Sequence, residues 1–195
     1  MSIQPVGQVV LDSYSVWMNH ALKRMYARTV FYPTLAWNVT LGRILKVRNW
    51  WDSIDDNVIV GARPSARDVA VMHAAGVRAV VNTCEEYAGP TKQYSEHGIA
   101  QLHIPTTDFT HPKLQDVIDA VEFVQQHASA GETVYIHCKA GRARSATVAL
   151  CWLMKYRSMT AMEAQALLLK CRPHVNPRLP ERPVVKEFAE TLPNA

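Results

Sequence analysis

The stretch Thr133-Val-Tyr-Ile-His-Cys-Lys-Ala-Gly-Arg-Ala-Arg-Ser145 constrains this chain more than any other. Val134-Tyr-Ile136 is a short β-branched and aromatic run, the pattern of a buried strand. Ala143 to Tyr156 holds neither proline nor glycine and is rich in apolar residues, the pattern of a helix. A strand that feeds a tight loop opening a helix aims backbone N–H groups and the positive end of the helix dipole at one spot. That spot favours a dianion. The amides of Lys139, Ala140, Gly141, Arg142 and Ala143 are the candidate donors, and Gly141 permits the turn that faces them inward. Cys138 sits at the base, where the same field favours thiolate over thiol. Arg144, on the first helical turn, carries two parallel donors suited to two phosphate oxygens. The competing reading is a structural cysteine at the end of a core strand. The loop lacks the Gly-x-x-x-x-Gly-Lys-Ser/Thr of a Walker site.

The rest of the chain alternates strands and helices. Strands are expected at 57–61, 78–82 and 100–104. Helices are expected from a Ser65–Asp68 capping box to Ala75, over 113–130, from Thr160 to Cys171, and briefly over Lys186–Glu190. This implies an α/β fold with a mainly parallel central sheet flanked by helices. At 195 residues the chain is most simply one catalytic domain, 52–195, preceded by an arm, 1–51. In the arm, Asp12 is the sole acid, while Lys23, Arg24, Arg28, Arg43, Lys46 and Arg48 interleave with aromatic residues. Such composition fits an interfacial segment on an anionic membrane, a mitochondrial targeting region, or a helical arm packed on the domain. No apolar run is long enough to span a bilayer. Cys84, Cys138, Cys151 and Cys171 show no C-x-x-C pairing or ligand-like clustering with histidine. A metal site is therefore not expected, and a reduced intracellular compartment is. The net charge of +4 suits an anionic substrate or surface.

Ester hydrolysis through a cysteine needs a group that protonates the leaving oxygen and later deprotonates water. Asp108, in the loop after strand 100–104, is the candidate. Asp116 and Asp119 are the alternatives, placed on the following helix, and Asp108 itself reads otherwise as a cap or turn residue. The Ser145 hydroxyl reads either as a hydrogen-bond partner for the sulfur or as a plain first-turn helix hydroxyl. His137 points to the opposite face from Cys138 and is expected to orient the loop by hydrogen bonding. Lys139 and Arg142 exceed what one monoester requires. They point to a substrate with more than one negative group, or simply face solvent at the cleft mouth.

His137-Cys138-Lys-Ala-Gly-Arg-Ala-Arg144-Ser145 resembles the His-Cys-x5-Arg-Ser/Thr loop of the cysteine-dependent protein tyrosine phosphatase superfamily. Over most of the chain the likeness is greatest to the phosphatidylglycerophosphate phosphatases of its dual-specificity branch. It is carried by Arg28-Thr-Val-Phe-Tyr-Pro-Thr-Leu35, Trp51-Asp-Ser-Ile-Asp55, Val60-Gly-Ala-Arg-Pro64, Glu85-Glu-Tyr87, the loop itself, Arg172-Pro173 and Val185-Lys-Glu-Phe188. The resemblance implies the dual-specificity fold and a phosphocysteine intermediate formed on Cys138. It assigns Asp108 as acid and base, and Arg144 with Ser145 as stabilisers. Glu85, Glu86 and Tyr87 would border the substrate, and no metal or other cofactor is required. It also implies a phosphorylated lipid substrate, no nucleic-acid partner, and a membrane location. That location would be the matrix side of the mitochondrial inner membrane in a eukaryote, or the cytoplasmic face in a bacterium. Glu181 departs from the family, which has glutamine there, so a water-positioning role at that position is not carried over.

Three other readings stay open. A protein phosphatase acting on phosphotyrosine and phosphoserine or phosphothreonine uses the same loop chemistry, and so does a phosphoinositide phosphatase. A non-catalytic phosphate-binding module would be favoured by loss of Cys138, Asp108 or Arg144, all of which are present.

Overall fold

The computed structural model describes residues 22, 25, 29 and 31–193 of the 195-residue chain. Helical residues 31–39 (α1) widen into a π-turn at Thr40–Ile44. Strands β1 (Trp51–Asp55) and β2 (Val58–Gly61) follow, then α2 (Val69–Ala74), β3 (Val77–Cys84), α3 (Thr91–Glu96) and β4 (Ala100–Thr106). The chain continues through α4 (Leu114–Ser129), β5 (Thr133–His137), α5 (Arg144–Tyr156), α6 (Ala161–Cys171) and α7 (Pro183–Glu190). The sheet order is β1-β2-β5-β3-β4, antiparallel between β1 and β2 and parallel elsewhere, which is the expected mainly parallel sheet.

Side-chain alternation divides the core between the two sheet faces. Val58, Val60, Ala79, Val81, Val134 and Ile136 face α4 to α7 in the larger core. Ile59, Val80 and Tyr135 face the other way, onto Val69, Met72, Tyr94 and Ile99. Because β5 is central and α5 is buried from Arg144 through Met154, the junction between them has packed protein on every side but one. A helix buried all round is held by its neighbours rather than by propensity, which makes it a rigid base for a reactive loop.

Both sequence-level helix starts form. The Ser65 amide donates to the Asp68 carboxylate at 2.7 Å, and Thr160 and Glu163 exchange bonds at 2.8 and 3.2 Å. Two elements were not legible. β1 is an edge strand with only Ile54 buried, so its pattern is polar, and it joins β2 through a turn at residues 56–57. α3 is six residues long and buries only Tyr94, too short for a helical period to show.

Much of the basic, aromatic arm, including Asp12, Lys23, Arg24 and Arg28, lies outside the described residues. Its later part packs on the domain: Phe31 and Leu35 are buried. Arg43 pairs with both carboxylate oxygens of Asp68, at 2.9 and 2.5 Å, and lies 4.3 Å over the Trp50 ring. β1 begins at Trp51, the last residue of the expected arm.

Candidate active site

The carboxyl ends of β3, β4 and β5 converge on a cleft of about 580 Å³. Cys138, one residue past β5, lies at its floor and is 4% exposed. Its sulfur accepts from the Gly141 amide at 3.2 Å and from the Ser145 hydroxyl at 3.3 Å. Burial pushes the thiol pKa up, but the Arg144 charge, the Ser145 hydroxyl and amide, and the Arg142 amide outweigh it. The result is a pKa of about 7. At neutral pH about half of Cys138 is therefore thiolate, against a few per cent for a free cysteine. Cys151, also buried on α5 but with no such donors, is pushed upward by its burial. The loop field, not burial, makes the nucleophile.

The thiolate is the reactive form, so the sign of the pH dependence follows. Alkylation of Cys138 by iodoacetamide should rise with pH to half its maximum near pH 7. In Ser145→Ala, which removes one donor to the sulfur, the midpoint should move to higher pH. A midpoint unaltered by the substitution would show that the hydroxyl does not hold the anion.

The turn over Cys138 exists because position 141 is glycine. Gly141 has φ +64°, and a side chain there would run into the Gly61 carbonyl. From behind, Arg172 grips the loop's carbonyls. Its Nε donates to Gly141 O at 2.8 Å and its Nη2 to Ala140 O at 3.2 Å, while Nη1 pairs with Asp52 at 2.5 Å. With the carbonyls drawn backward, the amides are left facing the cleft. Sequence reading did not assign this role to Arg172. Its contacts to Asp52 and Gly141 span 120 and 31 residues, and no local spacing encodes them.

Arg144 is 2% exposed. Its Nη1 donates to the Thr106 carbonyl at 2.6 Å and to Glu86 at 2.9 Å. Its buried Nη2 forms an ion pair with Asp108 Oδ1 at 3.0 Å without making a hydrogen bond. Asp108 sits in the turn after β4, at the cleft wall. Its other oxygen pairs with Lys139 Nζ, which also donates to Thr34 Oγ1 at 2.8 Å. Asp116 and Asp119 lie on α4 and do not line the cleft, and Asp119 accepts from Gln115 instead.

Glu85, Glu86 and Tyr87, expected to border the substrate, are absent from the cleft wall itself. Glu86 joins Arg144 to the acid loop by also accepting from the Asp108 amide at 3.0 Å, and Glu85 accepts from Thr107. Tyr87 donates to Pro64 O at 2.8 Å and carries Arg63 over its ring. Lys139, expected to be a spare cation, is buried and committed to Asp108; Arg142 remains exposed on the cleft wall. The His137 ring is fully buried between Tyr87 and Tyr135, and the Cys138 backbone at the head of the loop acts on it in the direction that favours its proton. Burial drives its pKa down to about 3, keeping it neutral and apolar in character. The tie to β3 is made by its backbone, whose carbonyl accepts from Thr83 at 2.9 Å.

A buried low-pKa cysteine in a strand–loop–helix, an arginine on the first helical turn and a carboxylate in the turn after β4 define a cysteine-dependent phosphatase. The chain belongs to the dual specificity phosphatases, whose catalytic-domain model matches residues 58–190. Across 165 residues it is 39% identical to a phosphatidylglycerophosphate phosphatase of Arabidopsis thaliana, covering 83% of this chain and 72% of the relative. A second Arabidopsis phosphatidylglycerophosphate phosphatase, 37% identical, is a longer protein, of which this chain spans 47%. The phosphatidylglycerophosphatase and protein-tyrosine phosphatase 1 of Mus musculus is 34% identical over 187 residues, 91% of this chain and 95% of its own length. The crystal structure of PTPMT1 in complex with PI(5)P superposes with a TM-score of 0.67 at 31% identity, over 73% of this chain and 96% of that one. Human DUSP28, at 21% identity and a TM-score of 0.60, shares the fold.

Proposed function

We propose that the protein hydrolyses the phosphate monoester of phosphatidylglycerophosphate, releasing phosphatidylglycerol and phosphate. The observation that carries this reading is the shape and chemistry of the cleft around Cys138. α1 contributes Thr34, Trp37 and Asn38 to its wall, with Phe109 on the acid loop. Trp37 and Phe109 are 63% and 68% exposed at the rim. Exposed aromatic side chains beside a cationic pocket suit a headgroup presented at a lipid–water interface. The names of the plant and mouse relatives support the same substrate. The mouse relative's name keeps the phosphotyrosine reading as the second one.

In this reading the Cys138 thiolate attacks phosphorus, and the bond to the glycerol oxygen breaks. Arg144 and the loop amides take the equatorial oxygens. The incoming phosphate competes with Asp108 for Arg144 and Lys139, and the displaced carboxylate takes up a proton from solvent and passes it to the leaving oxygen. Asp108 then removes a proton from water, which attacks phosphorus. The P–S bond breaks, and the Ser145 hydroxyl stabilises the departing thiolate. Residues 1–51 serve as a membrane-facing arm whose last part is also a wall of the catalytic site. No described helix is long and apolar enough to cross a membrane, which fits attachment at a surface. The matching location is the matrix side of a mitochondrial inner membrane or the cytoplasmic face of a bacterial one.

The test is phosphate release from phosphatidylglycerophosphate vesicles, phosphoinositide vesicles and a phosphotyrosine peptide, assayed in parallel. Preference for the first supports the assignment. Preference for the peptide keeps the mechanism and removes the lipid substrate.

A further inference from the structure

The cleft holds more positive charge than one monoester uses, and that charge is not balanced by the protein. Arg43, Arg144, Arg157 and Arg172 each pair with a carboxylate. Arg142, Arg178 and Arg182 all line the cleft, and among the described residues none of them has such a partner. Their placement is built rather than incidental. The segment between α6 and α7 is bound to the nucleophile loop by a reciprocal pair of bonds: Arg142 Nε donates to His174 O, and the Asn176 amide donates to Arg142 O, each at 2.8 Å. The Arg178 amide then donates to Asn176 Oδ1 at 2.8 Å, which ties Arg178, on the same cleft wall, to this segment. Arg182 is half-buried and reaches Thr147, on the first turn of α5, at 3.2 Å. Burial works against its charge and the thiolate of Cys138 works for it. A desolvated guanidinium without a counter-anion is stabilised by binding one.

We propose that Arg142, Arg178 and Arg182 form a second anion subsite, which takes a phosphate diester joined through a short polyol to the monoester held over Cys138. The inference rests on the phosphomonoesterase reading of Cys138 and Arg144, but not on the acyl chains of the substrate. It divides the work of the cations: Arg144 serves the reacting phosphate, Lys139 serves Asp108, and the three unpaired arginines select for a second charge. A ligand with one phosphate leaves them unsatisfied. Lys139, the other extra cation visible in sequence, is excluded by its commitment to Asp108 and Thr34.

The test is a binding comparison on full-length Cys138→Ser protein, which cannot turn over. Calorimetry at fixed ionic strength compares glycerol 3-phosphate with the water-soluble headgroup glycerophosphoglycerol phosphate. The two-anion compound should bind at least about tenfold tighter, the size of one or two charge-assisted hydrogen bonds. Arg178→Ala on the same background should remove most of that advantage, and Arg178→Lys should restore part of it. Arg182→Gln provides the second variant. Equal affinity for the two ligands, or an advantage that survives both substitutions, overturns the subsite. Failure of the lipid assignment reads out elsewhere, as absent phosphate release from phosphatidylglycerophosphate by the unsubstituted protein.

Discussion

Cys138→Ser lowers kcat by on the order of 10⁴-fold or more, while phosphate and headgroup ligands still bind. The physical reason is the field around the sulfur. Against its burial, the charge of Arg144, the Ser145 hydroxyl and amide, and the Arg142 amide bring the thiol to a pKa of about 7. A serine hydroxyl starts far higher, so the same surroundings leave it protonated and poorly nucleophilic. Binding survives because its groups are elsewhere: the loop amides, set by Gly141 and Arg172, and the guanidinium of Arg144. Steady-state kinetics and calorimetry on the one variant check both halves. Retention of more than a hundredth of the activity would mean that the nucleophile is another group.

Asp108→Asn separates acid catalysis from binding. For alkyl phosphates, whose alkoxide leaves poorly, the rate should fall by about 10²–10⁴-fold. For p-nitrophenyl phosphate, whose phenolate needs no proton, the loss should be about tenfold or less. Asparagine keeps the size of the side chain but not its charge, so Lys139 loses its buried carboxylate partner and Arg144 keeps only Glu86. That disturbance, and the loss of the base for water attack, fall on both substrates alike, whereas the missing proton penalises only the poor leaving group as phosphocysteine forms. The ratio of the two kcat/KM values, which report steps only through that formation, is therefore the quantity to read. Equal losses would make Asp108 a positioning residue for Arg144 and Lys139.

The parts of the site that were legible in sequence are those whose chemistry is local. Cys138 to Ser145 is one continuous segment at a strand–helix junction, so spacing alone gives the geometry. Asp108 was found because a loop at the carboxyl end of a parallel strand opens onto the same edge as its neighbours. The supports were not found because their partners are distant. Arg172 meets the loop 31 residues away, and Arg178 and Arg182 reach the cleft only through the turn that lays 174–178 on Arg142. Glu86 was given to the substrate, yet a buried first-turn arginine demands a carboxylate, and that need was a signal for its partner. His137 fills an aromatic gap between Tyr87 and Tyr135, and its carbonyl ties β5 to β3 by accepting from Thr83.

The central claim is a covalent phosphate on Cys138. The measurement is acid-quenched mass spectrometry of the Asp108→Asn protein mixed for milliseconds with p-nitrophenyl phosphate, whose leaving group needs no proton from the acid. With formation nearly unimpaired and water attack slowed by loss of the base, the peptide containing Cys138 should carry one phosphate, and the same peptide from Cys138→Ser should carry none. Substrate hydrolysed at full rate with no adduct on that peptide, or an adduct on another residue, would contradict a mechanism that passes through phosphorylated Cys138.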